Sequence, residues 1–112
     1  MATYQPQLDR VFHALSDPTR LAVVERLVAG PASVSELWHP FDMARPSFLK
    51  HLRVLEDAGV VTSKKRGRVR TVSVEPKVLE RVDEWARWHR SRVEEQLDRL
   101  GDFLAKENID EK

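Results

Sequence analysis

The spacing of apolar residues changes twice along this chain, and this change strongly constrains the fold. Apolar residues recur every three or four positions up to about residue 57, alternate with polar residues between about 60 and 74, and return to the longer spacing from about 77 to 106. The longer spacing predicts amphipathic helices, and the alternation predicts a β-hairpin. We therefore expect a mainly α fold with a small β-hairpin and one long C-terminal helix.

Caps and prolines indicate where the first two helices begin and end. Apolar residues keep helical spacing through residues 8–15, which predicts a first helix there. Asp17 and Pro18 are a typical N-cap and first residue for a second helix, which Gly30 and Pro31 end. The inward side of this second helix is expected to carry Leu21, Val24, Leu27 and Val28.

Two further helices follow at short intervals. Ser33 and Glu36 have the spacing of a capping box, and Pro40 keeps the third helix short. Pro46 opens the fourth helix, and Gly59 is placed to end it. The inner side of the fourth helix is expected to carry Phe48, Leu52 and Leu55.

Positive charge is concentrated in one stretch of the chain. Residues 1–44 carry a net charge of −2, residues 45–74 a net charge of +6, and residues 75–112 a net charge of −3. A basic stretch of this kind favours a polyanionic partner, most commonly a nucleic-acid backbone, and the helices and hairpin described next favour double-stranded DNA. Helices followed by a basic helix and a basic hairpin are the layout of a winged helix-turn-helix.

A helical projection separates the two sides of the fourth helix. If Leu52 faces inward, Ser47 and Lys50 face outward, and Arg53 lies on the flank. These side chains can reach base edges in a major groove about 12 Å wide. Arg45 stands at the entrance of the helix, where contact with a DNA phosphate is expected.

The hairpin supplies a second set of candidate DNA contacts. Its cations can reach a neighbouring backbone or minor groove; they are Lys64, Lys65, Arg66, Arg68 and Arg70. His51 is also included among the candidate DNA-binding residues. Its alternative role is to support the fourth helix from within the protein.

Several blocks of this sequence resemble ArsR-type winged-helix repressors. They are residues 14–20 (ALSDPTR), 33–37 (SVSEL), 45–60 (RPSFLKHLRVLEDAGV) and 63–71 (SKKRGRVRT). The resemblance covers about residues 8–76, and the long Trp-containing last helix resembles a subset of the family. It implies a homodimeric bacterial transcription regulator, usually a repressor that a ligand or metal releases from DNA.

The domain organisation follows from this resemblance. We expect residues 1–112 to form a single winged helix-turn-helix domain, with a DNA-binding core at 8–76, a dimerisation helix at 77–106 and a tail at 107–112.

The apolar stripe of the last helix is longer than the core can cover, and its spacing suits helix–helix pairing. The first helix offers a matching face. The expected dimer interface comprises Leu8, Val11, Phe12, Leu15, Val82, Trp85, Trp88, His89, Val93, Leu97 and Leu100. A pocket for an apolar effector, lined by the two tryptophans, is the alternative.

The chain contains no cysteine, which excludes disulfides, thiolate metal sites and a cysteine nucleophile. Ser33 and Ser35 stand where the family's metal sensors carry their two cysteines, and His89 lacks the Asp and His partners of a second family site. We therefore expect no metal and no cofactor; a histidine or carboxylate site assembled between two chains is the alternative left open. No phosphate-binding glycine loop or nucleophile–base pair is evident, so an enzyme is not expected.

Other features define the expected setting and the competing interpretation. No apolar run approaches the roughly 20 residues of a membrane span, and the N-terminus lacks the pattern of a signal peptide, so we expect a cytoplasmic protein with no membrane contact. The predicted function is a dimeric, sequence-specific repressor of a pseudo-palindromic operator, with a non-thiolate, small-molecule effector left open. The alternative is a winged-helix module for protein–protein contact, which would present a neutral or apolar face on the fourth helix and the hairpin.

Overall fold

The computed structural model describes residues 7–110, with side chains through residue 108. Its elements, in chain order, are α1 (Leu8–Leu15), α2 (Pro18–Val28), β1 (Ala32–Ser33), α3 (Val34–Trp38), α4 (Arg45–Asp57), β2 (Val61–Arg66), β3 (Val69–Val74) and α5 (Pro76–Asp110). The three strands form one antiparallel sheet in the order β1-β3-β2. The prediction of a winged helix-turn-helix with a long last helix is confirmed.

Side-chain caps begin two of the helices as the sequence predicts. The Asp17 carboxylate accepts the backbone N–H groups of Thr19 and Arg20, at 2.8 and 3.1 Å, at the start of α2. At α3 the Ser33 hydroxyl accepts the Glu36 N–H, and the Glu36 carboxylate accepts the Ser33 N–H. This second bond is the main reason why the pKa of Glu36 lies below its ordinary value.

The hairpin turns over two residues. Arg66 pairs with Val69, and Gly67 occupies the first central position with φ +62°, a conformation that glycine adopts without steric cost. Strand β1 pairs Ala32 with Val72 and was not predicted from the sequence, because two residues are too few to show an alternating pattern.

The buried apolar side chains of the described residues all lie between Val11 and Val78. As predicted, α4 buries Phe48, Leu52 and Leu55. In α2 the buried side is centred on Val23, Val24 and Leu27. The prediction that Leu21 and Val28 face inward is wrong: they are 43% and 66% exposed, because both lie on the edge of the helix away from Val23.

The chain divides into two compact units, Met1–Arg81 and Val82–Lys112. The first contains the four N-terminal helices and the sheet, and the second is helical through Asp110. The predicted tail at 107–112 is therefore wrong at its start, because no glycine or proline follows Lys106 to end the helix; residues 111 and 112 lie outside the described range. Among the described helices, none combines the length and the apolar character that crossing a bilayer requires.

Candidate nucleic-acid interface

The outer side of α4 is polar and basic. Ser47, Lys50 and Arg53 are exposed, as is Arg45 at the start of the helix. The opposite side is anchored in the core by Phe48, Leu52 and Leu55, so the helix holds these polar side chains outward on a rigid support. The expected separation of the two sides of α4 is therefore present.

The hairpin tip is also exposed and basic. Lys64, Lys65, Arg66 and Arg68 are exposed, and they flank the turn at Gly67. Lys65 pairs across the hairpin with Arg70, which places these two residues on the same face of the sheet. Four positive charges thus surround one tight turn that projects from the sheet.

A groove of about 670 Å³ lies between the start of α3, the start of α4 and the hairpin. Its lining includes four cations and no carboxylate, and Leu49 contributes an apolar patch on the α4 side. The cations are Arg45, Lys65, Arg68 and Arg70. A concave surface with one sign of charge concentrates the potential that attracts a polyanion.

Arg70 differs from the other hairpin cations because the protein itself neutralises it. Its guanidinium forms an ion pair with Glu56 near the end of α4, and its Nε donates to the Ser63 hydroxyl at 3.0 Å. The Ser63 hydroxyl in turn donates to Glu56 at 3.3 Å. This network joins α4 to both long strands, so Arg70 has a structural role, and the contact of Arg70 with DNA stays a prediction. Sequence reasoning missed Glu56, although an acidic residue inside the basic stretch was a usable signal.

His51 faces the interior side of α4. Its Nδ1 accepts a hydrogen bond from the Arg20 guanidinium at 3.1 Å and lies 3.7 Å from the Asp17 carboxylate. Because arginine has only donors, the ring proton is assigned to Nε2. Arg20 also donates to the backbone oxygen of Ala14 at 2.7 Å, so it connects α1 to α4. This geometry supports the role of His51 within the protein more than a DNA contact through Nδ1.

The Asp17 carboxylate belongs to the same cluster. The pKa of Asp17 lies below its ordinary value, chiefly because the carboxylate accepts the Arg20 N–H, with the Thr19 N–H and the positive charge of Arg20 acting in the same direction. The cap of α2 and the support of α4 therefore share one charged group.

The start of α4 lacks a side-chain cap, since its N-cap residue is Ala44. The turn before it is held by Trp38 instead. The Trp38 indole N–H donates to the Met43 oxygen at 2.9 Å, and the Trp38 oxygen accepts the Phe41 N–H at 2.9 Å. The Arg45 Cζ lies over the Trp38 ring, 5.6 Å from its centroid.

In the second unit, α5 carries an exposed apolar stripe. Leu97 and Leu100 are 60% and 51% exposed, and the exposed stripe also includes Trp85, His89, Val93, Phe103 and Leu104. Val82, at the start of the stripe, is half-buried. Trp88 lies beside the stripe, where Arg92 covers its ring at 4.9 Å. His89 contacts both tryptophans, with ring centroids 4.5 Å from Trp85 and 4.9 Å from Trp88.

The expected interface residues of α1 differ in how exposed they are. Leu8 and Leu15 are half-buried, and Phe12 is exposed. The prediction that Val11 contacts a partner is wrong, because Val11 is fully buried in its own chain and offers no surface. The apolar spacing of a short helix cannot separate the positions that face the core from those beside them.

Within the part of the chain that the structure describes, no three His, Cys, Asp or Glu side chains are grouped so that they could hold a metal ion.

Comparison with known proteins identifies the family. A helix-turn-helix domain model matches residues 15–64. The HTH-type transcriptional regulator Rv2034 of Mycobacterium tuberculosis (strain ATCC 25618 / H37Rv) is 41% identical over 76 residues, covering 68% of this chain and 70% of that protein. The transcriptional repressor SdpR of Bacillus subtilis (strain 168) is 30% identical over 78 residues, covering 70% of this chain and 87% of SdpR.

A solved structure extends the similarity beyond the sequence match. The crystal structure of the ArsR family transcriptional regulator RHA00566 superposes with a TM-score of 0.75 at 50% identity, covering 84% of this chain and 97% of that one. The fold, the basic surface of α4 and the hairpin, and these relatives all indicate the same family. The chain belongs to the ArsR family of DNA-binding helix-turn-helix transcriptional regulators, which are not enzymes.

Proposed function

We propose that this protein is a homodimeric, sequence-specific repressor that binds a pseudo-palindromic operator in the cytoplasm. The observation that carries the proposal is the groove between α3, α4 and the hairpin, which is lined by Arg45, Lys65, Arg68 and the ion-paired Arg70 and by no carboxylate. The exposed α4 residues beside it are polar and basic rather than apolar. This surface favours DNA over the protein–protein module, which would need a neutral or apolar face.

In this proposal α4 lies in the major groove. Ser47 and Lys50 meet base edges, while Arg53 contacts a base edge or an adjacent phosphate. Arg45 contacts a phosphate at the entrance of the groove. The hairpin cations Lys64, Lys65, Arg66 and Arg68 contact the flanking backbone or minor groove, and Arg70 holds the hairpin against α4 through Glu56.

The proposed dimer buries the stripe of α5. A single helix has no core of its own, so its exposed apolar residues are stabilised only when another surface covers them. A second copy of the same stripe, joined by the exposed part of α1 around Phe12, supplies a matching apolar face. Two-fold symmetry would then present two α4 helices to half-sites about 34 Å apart.

Control of the repressor is proposed at the same dimer interface. A ligand that binds between the two α5 helices, beside Trp85 and Trp88, would change the half-site spacing and release the DNA. The absence of cysteine from the chain excludes thiolate metal binding as the signal.

The assignment of α4 is tested by Lys50→Ala combined with Arg53→Ala. Both side chains are exposed, so the variant is expected to fold and dimerise normally while it loses preference for the operator over random DNA. The control is Arg87→Ala with Lys106→Ala, which removes the same charge from the polar side of α5. Anisotropy titrations measure the affinity, and unchanged operator preference in the α4 variant would contradict the assignment.

The dimer is tested separately with Leu100→Glu. This residue is half-exposed in the single chain, so the substitution should leave the thermal stability of the first unit unchanged while it dissociates the dimer. Ser91→Glu adds the same charge on the opposite side of α5 and should leave the dimer intact. Sedimentation equilibrium distinguishes the two states, and a Leu100→Glu variant that stays dimeric would remove the α5 stripe from the interface.

A further inference from the structure

The turn between α3 and α4 carries a tryptophan that the proposed function does not yet use. We propose that Trp38 is a positioning residue for DNA binding that acts through Arg45. Its ring face, together with the turn that it restrains before α4, holds the Arg45 guanidinium in the geometry that meets a phosphate. The inference rests on the proposed function, because it assumes that Arg45 contacts DNA.

The first argument concerns the backbone before α4. The Ala44 side chain has no acceptor for the backbone N–H groups of the first turn, so the helix has no side-chain cap. The Trp38 indole N–H bonds the oxygen of Met43, the residue directly before Ala44. The Trp38 backbone oxygen bonds the Phe41 N–H, and the Phe41 ring contacts the buried Phe48 ring at 5.5 Å. Trp38 therefore restrains the turn from which α4 emerges.

The second argument concerns the Arg45 side chain. An exposed arginine samples many rotamers, and fixing it in one rotamer on a phosphate costs conformational entropy, which weakens binding. In this protein the guanidinium carbon lies over the Trp38 ring, 5.6 Å from the centroid, in cation–π range. Interaction with the ring face uses none of the guanidinium N–H donors, so all five remain available for a phosphate.

The third argument is the location of the pair. Arg45 is the first residue of α4 and also lines the cationic groove with Lys65, Arg68 and Arg70. Trp38 is half-buried and is absent from that lining, so it acts on DNA through Arg45 and the turn rather than by direct contact. A hydrophobic residue of similar size would fill the space but would hold neither the guanidinium nor Met43.

A double-mutant cycle tests the proposal with a fluorescein-labelled mixed-sequence duplex of about 30 base pairs, long enough for two half-sites. Phosphate contacts do not depend on sequence, so no operator is required. Trp38→Leu should weaken binding about fivefold to thirtyfold when both protomers engage the duplex, and less than about twofold when Arg45 is already alanine. In an Arg53→Ala background, the full loss caused by Trp38→Leu should persist.

Two further measurements keep the outcome clear. Circular dichroism and sedimentation show whether Trp38→Leu folds and dimerises. If it does not, Trp38→Phe retains a weaker aromatic face. Its smaller loss of DNA affinity, about twofold to fivefold, should again disappear in the Arg45→Ala background. An equal loss in the presence and absence of Arg45 would overturn the proposal and leave Trp38 a purely structural residue.

The cycle separates failure of this inference from failure of the proposed function. If the unmodified protein shows no salt-dependent affinity for the duplex, the proposed function fails and the inference fails with it. If the protein binds and Lys50→Ala with Arg53→Ala weakens binding while Arg45→Ala does not, only the role of Trp38 and Arg45 is wrong.

Discussion

Removal of the two arginines at the hairpin tip should flatten the salt dependence of DNA binding. Arg66 and Arg68 flank Gly67 and are exposed, so their substitution by alanine leaves the core intact. Each phosphate contact contributes about 0.9 to the slope of log affinity against log salt concentration. Two contacts on each wing of a dimer give a decrease of up to about 3.6 in the magnitude of the slope.

The consequence is large enough to measure easily. Between about 50 and 200 mM salt, a slope difference of this size means that the unmodified protein loses roughly a hundredfold more affinity than the variant. Anisotropy titrations at several KCl concentrations give both slopes, on operator and on random duplex alike. The charge-matched control, Arg87→Ala with Lys106→Ala on α5, should change the slope little. An unchanged slope in the hairpin variant, or the same change in the control, would refute the role of the wing.

Three other outcomes follow from the structure. Arg70→Ala should lower the salt slope less than Arg66→Ala does, because Glu56 already neutralises Arg70, and Glu56→Gln should raise the slope by up to about one per protomer. The pKa of Asp17 in the folded protein lies below its ordinary value of 3.8. The ionised carboxylate therefore stabilises the fold at every pH above 3.8, and this stabilisation is lost as the pH falls through the folded-state pKa. The difference in thermal midpoint between the unmodified protein and Asp17→Asn should therefore shrink on acidification from about pH 6 to pH 3. Leu52→Ala, at a site 1% exposed, should lower the free energy of unfolding by about 2–5 kcal/mol in urea titrations, and a loss below 1 kcal/mol would contradict its place in the core.

The elements that were predicted well are those with strong local signals. The capping box at Ser33 and Glu36 begins α3 in the structure, and Asp17 caps α2. The alternation around Gly67 predicted the hairpin, because a two-residue turn with a positive φ needs glycine at that position. The outward side of α4 followed from a single projection about Leu52.

The features that were missed depend on contacts between distant residues. Glu56 and Arg70 are 14 positions apart, and Arg20 and His51 are 31 positions apart, so helical or strand spacing does not identify either pair of partners. The acidic residue inside the basic stretch indicated Glu56 but not its partner. Val11 was misplaced for a related reason. Helical spacing predicted the apolar side of α1, but it did not predict which residues on that side the core of the same chain would cover.

The most direct test of the central claim is to incubate the purified protein with fragmented genomic DNA at physiological salt and to sequence the fragments it retains. The account predicts enrichment of an inverted repeat with half-sites about one helical turn apart, and loss of that enrichment with Lys50→Ala and Arg53→Ala. Retention of DNA without any enriched repeat, or no retention at all, would contradict a dimeric, sequence-specific regulator that reads its operator through α4.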